Sequence, residues 1–451
     1  MNLSEYTDVV CDSRAVTPGA LFVAIPGTHD TGERYIAQAR EKGAAAILGS
    51  SPLCDLHTDA PRLAFAEACA AFYGHPSERL LLCGITGTNG KTTTAALLRD
   101  MLAEGGLQPG LLTTVVRSWP GHTEEADRTT SDARTLQHDL AQMADAGCRA
   151  AVMEVSSHAI DQERIGATRY AVLGFTNLTQ DHLDYHHTME AYFQVKARLF
   201  LDHPNAPAVI NTDDPYGARL LETLRAAGRT NLFPYAPKSI QATFSADGID
   251  ATFELAGRRL AFHTSLCGRY NLANLLCAAT MAIALGTTPD AVLMGILRAK
   301  PRWGRLEPIA PGVFVDYAHT DDALTNVLTT LREITPGRLI CLFGCGGDRD
   351  RTKRPKMAAA VDKIADIAIV TSDNPRTEAP ADIIADILPG FTRLTPHTHP
   401  DRRTAIRHAL SLKQPGDTLL IAGKGHETYQ EINGIKHPFS DAEEIKAALR
   451  P

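Results

Sequence analysis

One short segment limits the fold more than any other. Residues 80–85, Leu-Leu-Leu-Cys-Gly-Ile, make a continuous apolar run of the kind that becomes a strand buried on both faces. Directly after it come Thr86-Gly87-Thr88-Asn89-Gly90-Lys91-Thr92-Thr93, and then the amphipathic residues 95–102. Strand, glycine-bearing loop and helix in that order form a phosphate cradle. Glycine lets backbone N–H groups close around phosphate oxygens, and the helix N-terminus adds positive potential. Lys91 is placed to reach the β- and γ-phosphates, and the Thr92 hydroxyl to bind Mg²⁺. The strict G-x-x-x-x-G-K-[ST] pattern fails at Ile85, where its first glycine would stand. The alternative, a plain glycine-rich turn, is outweighed by the strand before the loop and the helix after it.

Further apolar runs at residues 150–155 and 170–175, separated by helical patterns, extend this unit into a parallel sheet. A second set of strand candidates, at 313–315, 339–343, 367–371 and 418–422, also alternates with helical segments. With 451 residues, the chain is too long for one core. The expectation is an α/β protein of three domains: a small mixed domain at 1–78, a central parallel-sheet P-loop ATPase domain at 79–300 and a Rossmann-like domain at 301–451. Apolar content of 44% and charged content of 22% fit an ordinary globular protein. No apolar run approaches the ~18 residues of a membrane span, the N-terminus lacks a signal-peptide pattern, and nine scattered cysteines read as reduced thiols. These features predict a cytoplasmic protein. A net charge of −7 argues against nucleic-acid or membrane partners and leaves room for small anionic substrates.

The loop sequence resembles the P-loop variant of the Mur ligase family, ATP-dependent enzymes that build the peptide of bacterial peptidoglycan. The resemblance continues through Glu154-Val155-Ser156-Ser157-His158, Thr176-Asn177-Leu178 with Asp181-His182-Leu183-Asp184-Tyr185-His186, and Gly268-Arg269-Tyr270-Asn271 with Asn274. It goes on in Asp316-Tyr317-Ala318-His319-Thr320 and Gly423-Lys424-Gly425-His426-Glu427. Ordered motifs along nearly the whole chain make it specific. Within the family the chain is most similar to the members that add diaminopimelate to UDP-N-acetylmuramoyl-L-Ala-D-Glu. Such a ligase activates a carboxylate with ATP as an acyl phosphate, which the incoming amine then displaces, with Mg²⁺ and cationic groups neutralising charge.

The resemblance also implies roles for single residues. Gly87, Thr88, Asn89, Gly90, Lys91, Thr92 and Thr93 would hold the ATP phosphates. Asn271 and Asn274 would lie on the adenine side, although either could instead cap a helix. Asp316 and His319 would meet the nucleotide, and Arg305 the phosphates. Glu154 would bind Mg²⁺ beside Thr92, and His182 a second Mg²⁺; taken alone, they read as a strand-end charge and a loop histidine. Lys196, in an apolar helical segment, reads by itself as a snorkelling surface lysine. The family carries a carbamylated lysine at the matching position, and partial burial would lower the pKa and leave a neutral amine to capture CO₂.

Cys11, Ser13, Thr28, His29 and Asp30 match the family's uridine-diphosphate site, with turn chemistry as the alternative. Thr129, Thr130, Ser156, Gln162 and Arg164 match residues that hold the muramoyl-dipeptide. Gly344-Cys345-Gly346-Gly347-Asp348-Arg349 lacks the spaced third glycine of a dinucleotide fingerprint, and Arg349 instead matches a contact to the incoming amino acid. Asp373-Asn374-Pro375-Arg376 is the tetrapeptide of the diaminopimelate-adding members, with Gly423 and Glu427 completing that pocket. The competing readings are a lysine-adding ligase, a folylpolyglutamate synthetase-like ligase and a catalytically dead nucleotide-binding regulator. The last would be expected to lose Lys91, Glu154 or His182, and all three are present. A monomer is expected.

Overall fold

The computed structural model describes residues 3–27 and 31–450, so Thr28, His29 and Asp30 lie outside the described residues. The chain forms two compact units, one of residues 1–238 with 273–295 and the other of residues 239–272 with 296–451.

The first unit contains two sheets. The smaller is parallel, with strands Val9–Val10, Leu21–Ala24, Ala46–Gly49 and Leu56–His57 in sequence order. Helix Pro61–Phe72 lays Phe65, Ala66 and Cys69 against Val9, Leu21, Val23 and Leu48 of this sheet. The larger sheet has eight strands, and Leu81–Thr86 lies inside it between Ala150–Glu154 and Val172–Phe175. Ala208–Asn211 and Leu232–Tyr235 extend it in parallel on one side, and Pro109–Leu112 on the other. Its far edge is an antiparallel ribbon, Val116–Trp119 with His122–Glu125. Strands covered on both faces must be apolar throughout, and Leu82, Val152, Leu173 and Ile210 are accordingly sealed. The chain leaves Leu81–Thr86 and later returns to pair strands on both of its sides. Its carboxyl end is therefore the switch point where ligands of open α/β sheets bind.

In the second unit a six-stranded sheet runs Glu307–Ala310, Val313–Asp316, Thr418–Ala422, Leu339–Phe343, Ile367–Thr371, His397–His399. All pairs are parallel except the first, which is antiparallel. An antiparallel meander, Gln241–Ser245, Gly248–Leu255 and Arg258–Thr264, and a hairpin of Tyr429–Ile432 with Ile435–Pro438 complete this unit. Among the described residues, no helix is long and apolar enough to cross a membrane.

Candidate active site

The phosphate loop follows Leu81–Thr86 and opens helix Lys91–Glu104. It is fastened to the neighbouring strand end. Thr88 N donates to Asn177 O at 2.9 Å, Asn89 N to Asn177 Oδ1 at 2.9 Å, and Thr176 Oγ1 to Asn89 O at 2.7 Å. Two glycines are required by close approach. A Cβ on Gly87 would stand 1.9 Å from Thr176 Oγ1, and one on Gly90, at φ +85°, 2.2 Å from Asn274 Oδ1. Asn274 thus packs against the loop and lies 3.4 Å from Thr94 Oγ1. Lys91 Nζ donates to the carbonyls of Gly87 and Thr88 at 3.1 and 2.8 Å. Thr93, half-buried, occupies the first turn of the helix.

Glu154 ends the adjacent strand and is buried. Its Oε1 accepts from Thr92 Oγ1 at 2.8 Å and from Thr114 N at 2.9 Å, and its Oε2 from Thr114 Oγ1 at 3.1 Å. Thr114 Oγ1 also lies 3.1 Å from Thr129 Oγ1. Thr130 Oγ1 donates to Glu154 O and accepts from Ser156 N. Arg164 donates to Gln162 Oε1 at 2.6 Å and to Thr130 O at 3.1 Å. The five residues matched to the dipeptide therefore share one network with the P-loop carboxylate. Its link, Thr114, was missed at the sequence level because nothing about an isolated threonine distinguishes it.

Lys196 is only 1% exposed, so it is no snorkelling residue. Helix Met189–Asp202 carries its ammonium nitrogen to Gly87 O at 2.9 Å and Thr86 Oγ1 at 3.3 Å, 4.8 Å from the centre of the Tyr192 ring. Burial first, and the charge of Lys91 second, push its pKa well below the ordinary lysine range, against a weak opposing pull from Asp181. His182 sits at φ +53° with Nε2 3.4 Å from Asp181 Oδ2 and its ring 4.9 Å from that of His158. Its side chain is 46% exposed, yet desolvation, with His158, Lys91 and Lys196 nearby and Asp181 opposing, pushes its pKa down to about 4.

On the small sheet, Cys11 is exposed and Ser13 is buried with Oγ 2.6 Å from Gln38 Oε1. Neither joins the cluster around Glu154 by a described hydrogen bond.

A second cluster forms at the carboxyl end of the six-stranded sheet. Asp316 ends its strand and accepts from Leu306 N at 2.6 Å and Ala318 N at 2.8 Å; burial raises its pKa, with Arg305 opposing. The Arg305 guanidinium lies 4.8 Å over the Tyr317 ring, whose centre is 5.0 Å from that of His426. Burial, together with Arg305 and Lys424, pushes the His426 pKa down to about 4. His319 is exposed and contacts Tyr317 O through Nδ1. Asn271 lies within helix Arg269–Ala284 and donates to Cys267 O at 2.8 Å.

Asp373, Asn374 and Pro375 are buried and Arg376 half-buried in the turn beyond strand Ile367–Thr371. Asn374 Nδ2 donates to Glu427 Oε2 at 2.9 Å, and the fully buried Lys424 donates to Asn374 Oδ1 at 3.1 Å and to Glu427 Oε2 at 2.7 Å. Gly423, at φ +114°, would bring a Cβ within 2.6 Å of Asp373 Oδ2. Arg376 adopts φ +52°. Its Nη1 donates to Gly347 O at 2.8 Å, and its Nε lies 3.2 Å from Glu431 Oε2. Arg349 is exposed and donates to Asp348 O, and its Cγ and Arg376 Nη1 flank Gly346, 3.7 and 3.0 Å from where a Cβ there would stand. Glu431 and Lys424 escaped assignment to the pocket from sequence, although Lys424 stands inside a motif that was recognised.

Residues 5–71 match the Mur ligase family catalytic domain, residues 85–282 the Mur ligase middle domain and residues 304–425 the Mur ligase glutamate ligase domain. The UDP-N-acetylmuramoyl-L-alanyl-D-glutamate--2,6-diaminopimelate ligase of Geobacter metallireducens is 43% identical, covering 99% of this chain and 94% of its own. A solved structure of a ligase of that name superimposes with a TM-score of 0.72 at 32% identity, over 98% of this chain and 94% of the other. A Mycobacterium tuberculosis folylpolyglutamate synthase shares the fold, with a TM-score of 0.67 at 20% identity over 86% and 96% of the two chains. With all three domain matches in order and a relative this similar from end to end, the chain belongs to the Mur ligase family.

Proposed function

We propose that this chain uses ATP to join the amine of meso-diaminopimelate to the D-glutamate carboxylate of UDP-N-acetylmuramoyl-L-Ala-D-Glu. The observation that carries the reading is the Asp373–Arg376 turn, whose arginine is held by Gly347 and Glu431 beside Asn374, Lys424 and Glu427. The free carboxylate is a poor electrophile, so it attacks the γ-phosphorus of ATP, releasing ADP and forming an acyl phosphate. Amine attack then gives a tetrahedral carbon that expels phosphate as the amide forms. Lys91 and the loop amides orient the phosphates, Arg305 adds positive charge, and the network of Thr129, Thr130, Ser156, Gln162 and Arg164 seats the muramoyl-dipeptide. Asn274, Asn271, Asp316 and His319 serve the nucleotide, Cys11 and Ser13 the uridine end, and Arg349 the amino acid.

Thr92 and Glu154 fit Mg²⁺, since a hydroxyl and a carboxylate are hard oxygen donors, 2.8 Å apart here. Among the described residues no group of three or more His, Cys, Asp or Glu could hold a metal by itself. His182 and Lys196, the latter as its carbamate, would hold a second ion. Bound Mg²⁺ would supply charge neutralisation on the phosphates. This reading carries with it small-molecule substrates and a cytoplasmic location.

Diaminopimelate differs from lysine by a carboxylate at its far end. A guanidinium grips that carboxylate through two parallel hydrogen bonds, and lysine offers it nothing. Given equal concentrations of both amino acids, the enzyme is expected to favour meso-diaminopimelate by roughly 10⁴-fold. Arg376→Ala should raise the diaminopimelate KM sharply and shrink that preference while leaving the KM for ATP nearly unchanged. Comparable lysine incorporation by the unmodified enzyme would overturn the reading.

A further inference from the structure

Arg402 has been given no role above, and it is one of the largest side chains fully buried in the protein. It starts helix Arg402–Leu412 and pairs with Asp441, at the start of helix Asp441–Leu449; neither side chain is exposed. Nε donates to Asp441 Oδ1 at 2.7 Å and Nη2 to Asp441 Oδ2 at 2.7 Å, a two-pronged grip. The remaining donors go elsewhere: Nη2 to Ala422 O at 2.9 Å and Nη1 to Ser372 O at 3.2 Å. Ser372 directly precedes the Asp373–Arg376 turn, and Ala422 directly precedes Gly423 and the Lys424–Glu427 turn.

The two strands that end at these carbonyls are not hydrogen-bonded to each other, because Leu339–Phe343 lies between them. Both are laddered to that middle strand only as far as Val370 and Ile421, so the spacing of the outgoing turns beyond them depends on other contacts. Arg402 supplies one, a planar guanidinium that touches both carbonyls from beneath, with its own orientation fixed by Asp441. Above it, Asn374 meets Lys424 and Glu427 across the same gap. Desolvating both charges offsets most of their attraction, so a buried pair of this kind adds little net stability. What it adds is geometry. Resting on the proposed amino-acid pocket, we infer that Arg402 is a positioning residue, oriented by Asp441, that sets the distance between the two turns and so tunes recognition of the incoming amino acid.

Three variants test this: Arg402→Lys, which keeps the charge but loses the fork; Asp441→Asn, which loosens the grip; and the double Arg402→Met/Asp441→Leu, which replaces the pair by apolar groups. Each is checked for folding by its melting curve, then assayed with all three substrates. The folded variants should show a KM for meso-diaminopimelate raised about tenfold or more, with the KM values for ATP and the UDP-precursor unchanged. Amide exchange in residues 373–377 and 423–428 should accelerate in the same variants with no substrate present. Normal exchange and an unchanged diaminopimelate KM in a folded variant would overturn the inference. So would failure of all three to fold, which would make the pair a determinant of the domain rather than of the pocket. If the unmodified enzyme ligates no amino acid, the proposed function falls, while the exchange measurement still decides the positioning role.

Discussion

A lysine sealed inside a protein at neutral pH must either find a counter-charge or release its proton. Lys196 is surrounded by a hydroxyl, a carbonyl and an aromatic face, with a second ammonium near enough to oppose its own charge. Its helix offered no warning of this, since an amphiphilic side chain among apolar neighbours usually reaches solvent. Burial decided otherwise, and that depends on the loop at residues 86–88, far away in sequence. Loss of the proton would leave the neutral amine, the form able to take up CO₂. Lys196→Ala is expected to lose ligation and to regain part of it with short carboxylic acids, which can occupy the place of the carbamate. Full activity of Lys196→Ala without additive would exclude the carbamate role. The sign of the stability effect also follows. Between the depressed folded value and the ordinary one, the unfolded lysine holds a proton that the folded one has released, so stability rises with pH across that window. In bicarbonate-free buffer, Lys196→Met should therefore be more stable than the parent near neutrality, with a gain that shrinks toward about pH 10. Denaturant midpoints across the range check it, and a gain growing with pH would contradict it.

At the scale of the elements, the loop and its helix depend on Gly90, whose left-handed backbone costs an alanine roughly 1–2 kcal/mol. The Cβ would also strike the Asn274 amide, 2.2 Å away, which adds a separate and removable penalty. Gly90→Ala should thus destabilise by more than the backbone strain alone and weaken ATP binding. Adding Asn274→Ala should recover the steric part only. A double-mutant cycle with no coupling between the two positions would refute the contact. The same reasoning explains what could be read beforehand. Strands such as Leu339–Phe343 and Thr418–Ala422 are buried throughout and, Thr418 aside, apolar, and their extents were expected as found. The meander was overlooked because Gly248–Leu255 carries the alternation of a half-buried strand and no continuous apolar run like those of the parallel sheets. Its turn signals, Asp247-Gly248 and Ala256-Gly257, were nevertheless in view, as was Asn433-Gly434 for the hairpin. Motif residues of the site were legible as a set. Their supporting partners Thr114, Lys424 and Arg402 were not, because each contacts segments that only the fold brings near.

For the molecule as a whole, every carboxylate in these clusters has a partner within the protein. Glu154 is satisfied by Thr92 and Thr114, and Asp316 by two backbone amides. No structural metal is needed to compensate them. Chelating Mg²⁺ should stop ligation and leave the melting temperature within about 1–2 °C, in contrast to metal-folded proteins, which unfold. Calorimetry with and without EDTA makes the comparison, and a large drop would point to a metal holding the fold. The hairpin at Tyr429–Pro438 has a different bearing. Arg376 receives its backbone restraint from that ribbon, donating its N–H to Glu431 O and accepting at its own carbonyl from Asn433 N, with Glu431 also beside its side chain. On the proposed reading, selectivity is therefore written in two stretches of chain more than fifty residues apart in sequence. A designer who transplants the arginine alone into a lysine-adding scaffold would carry over a charge with nothing to aim it. The ribbon is the heritable partner of that letter, and the two should travel together in any exchange of specificity.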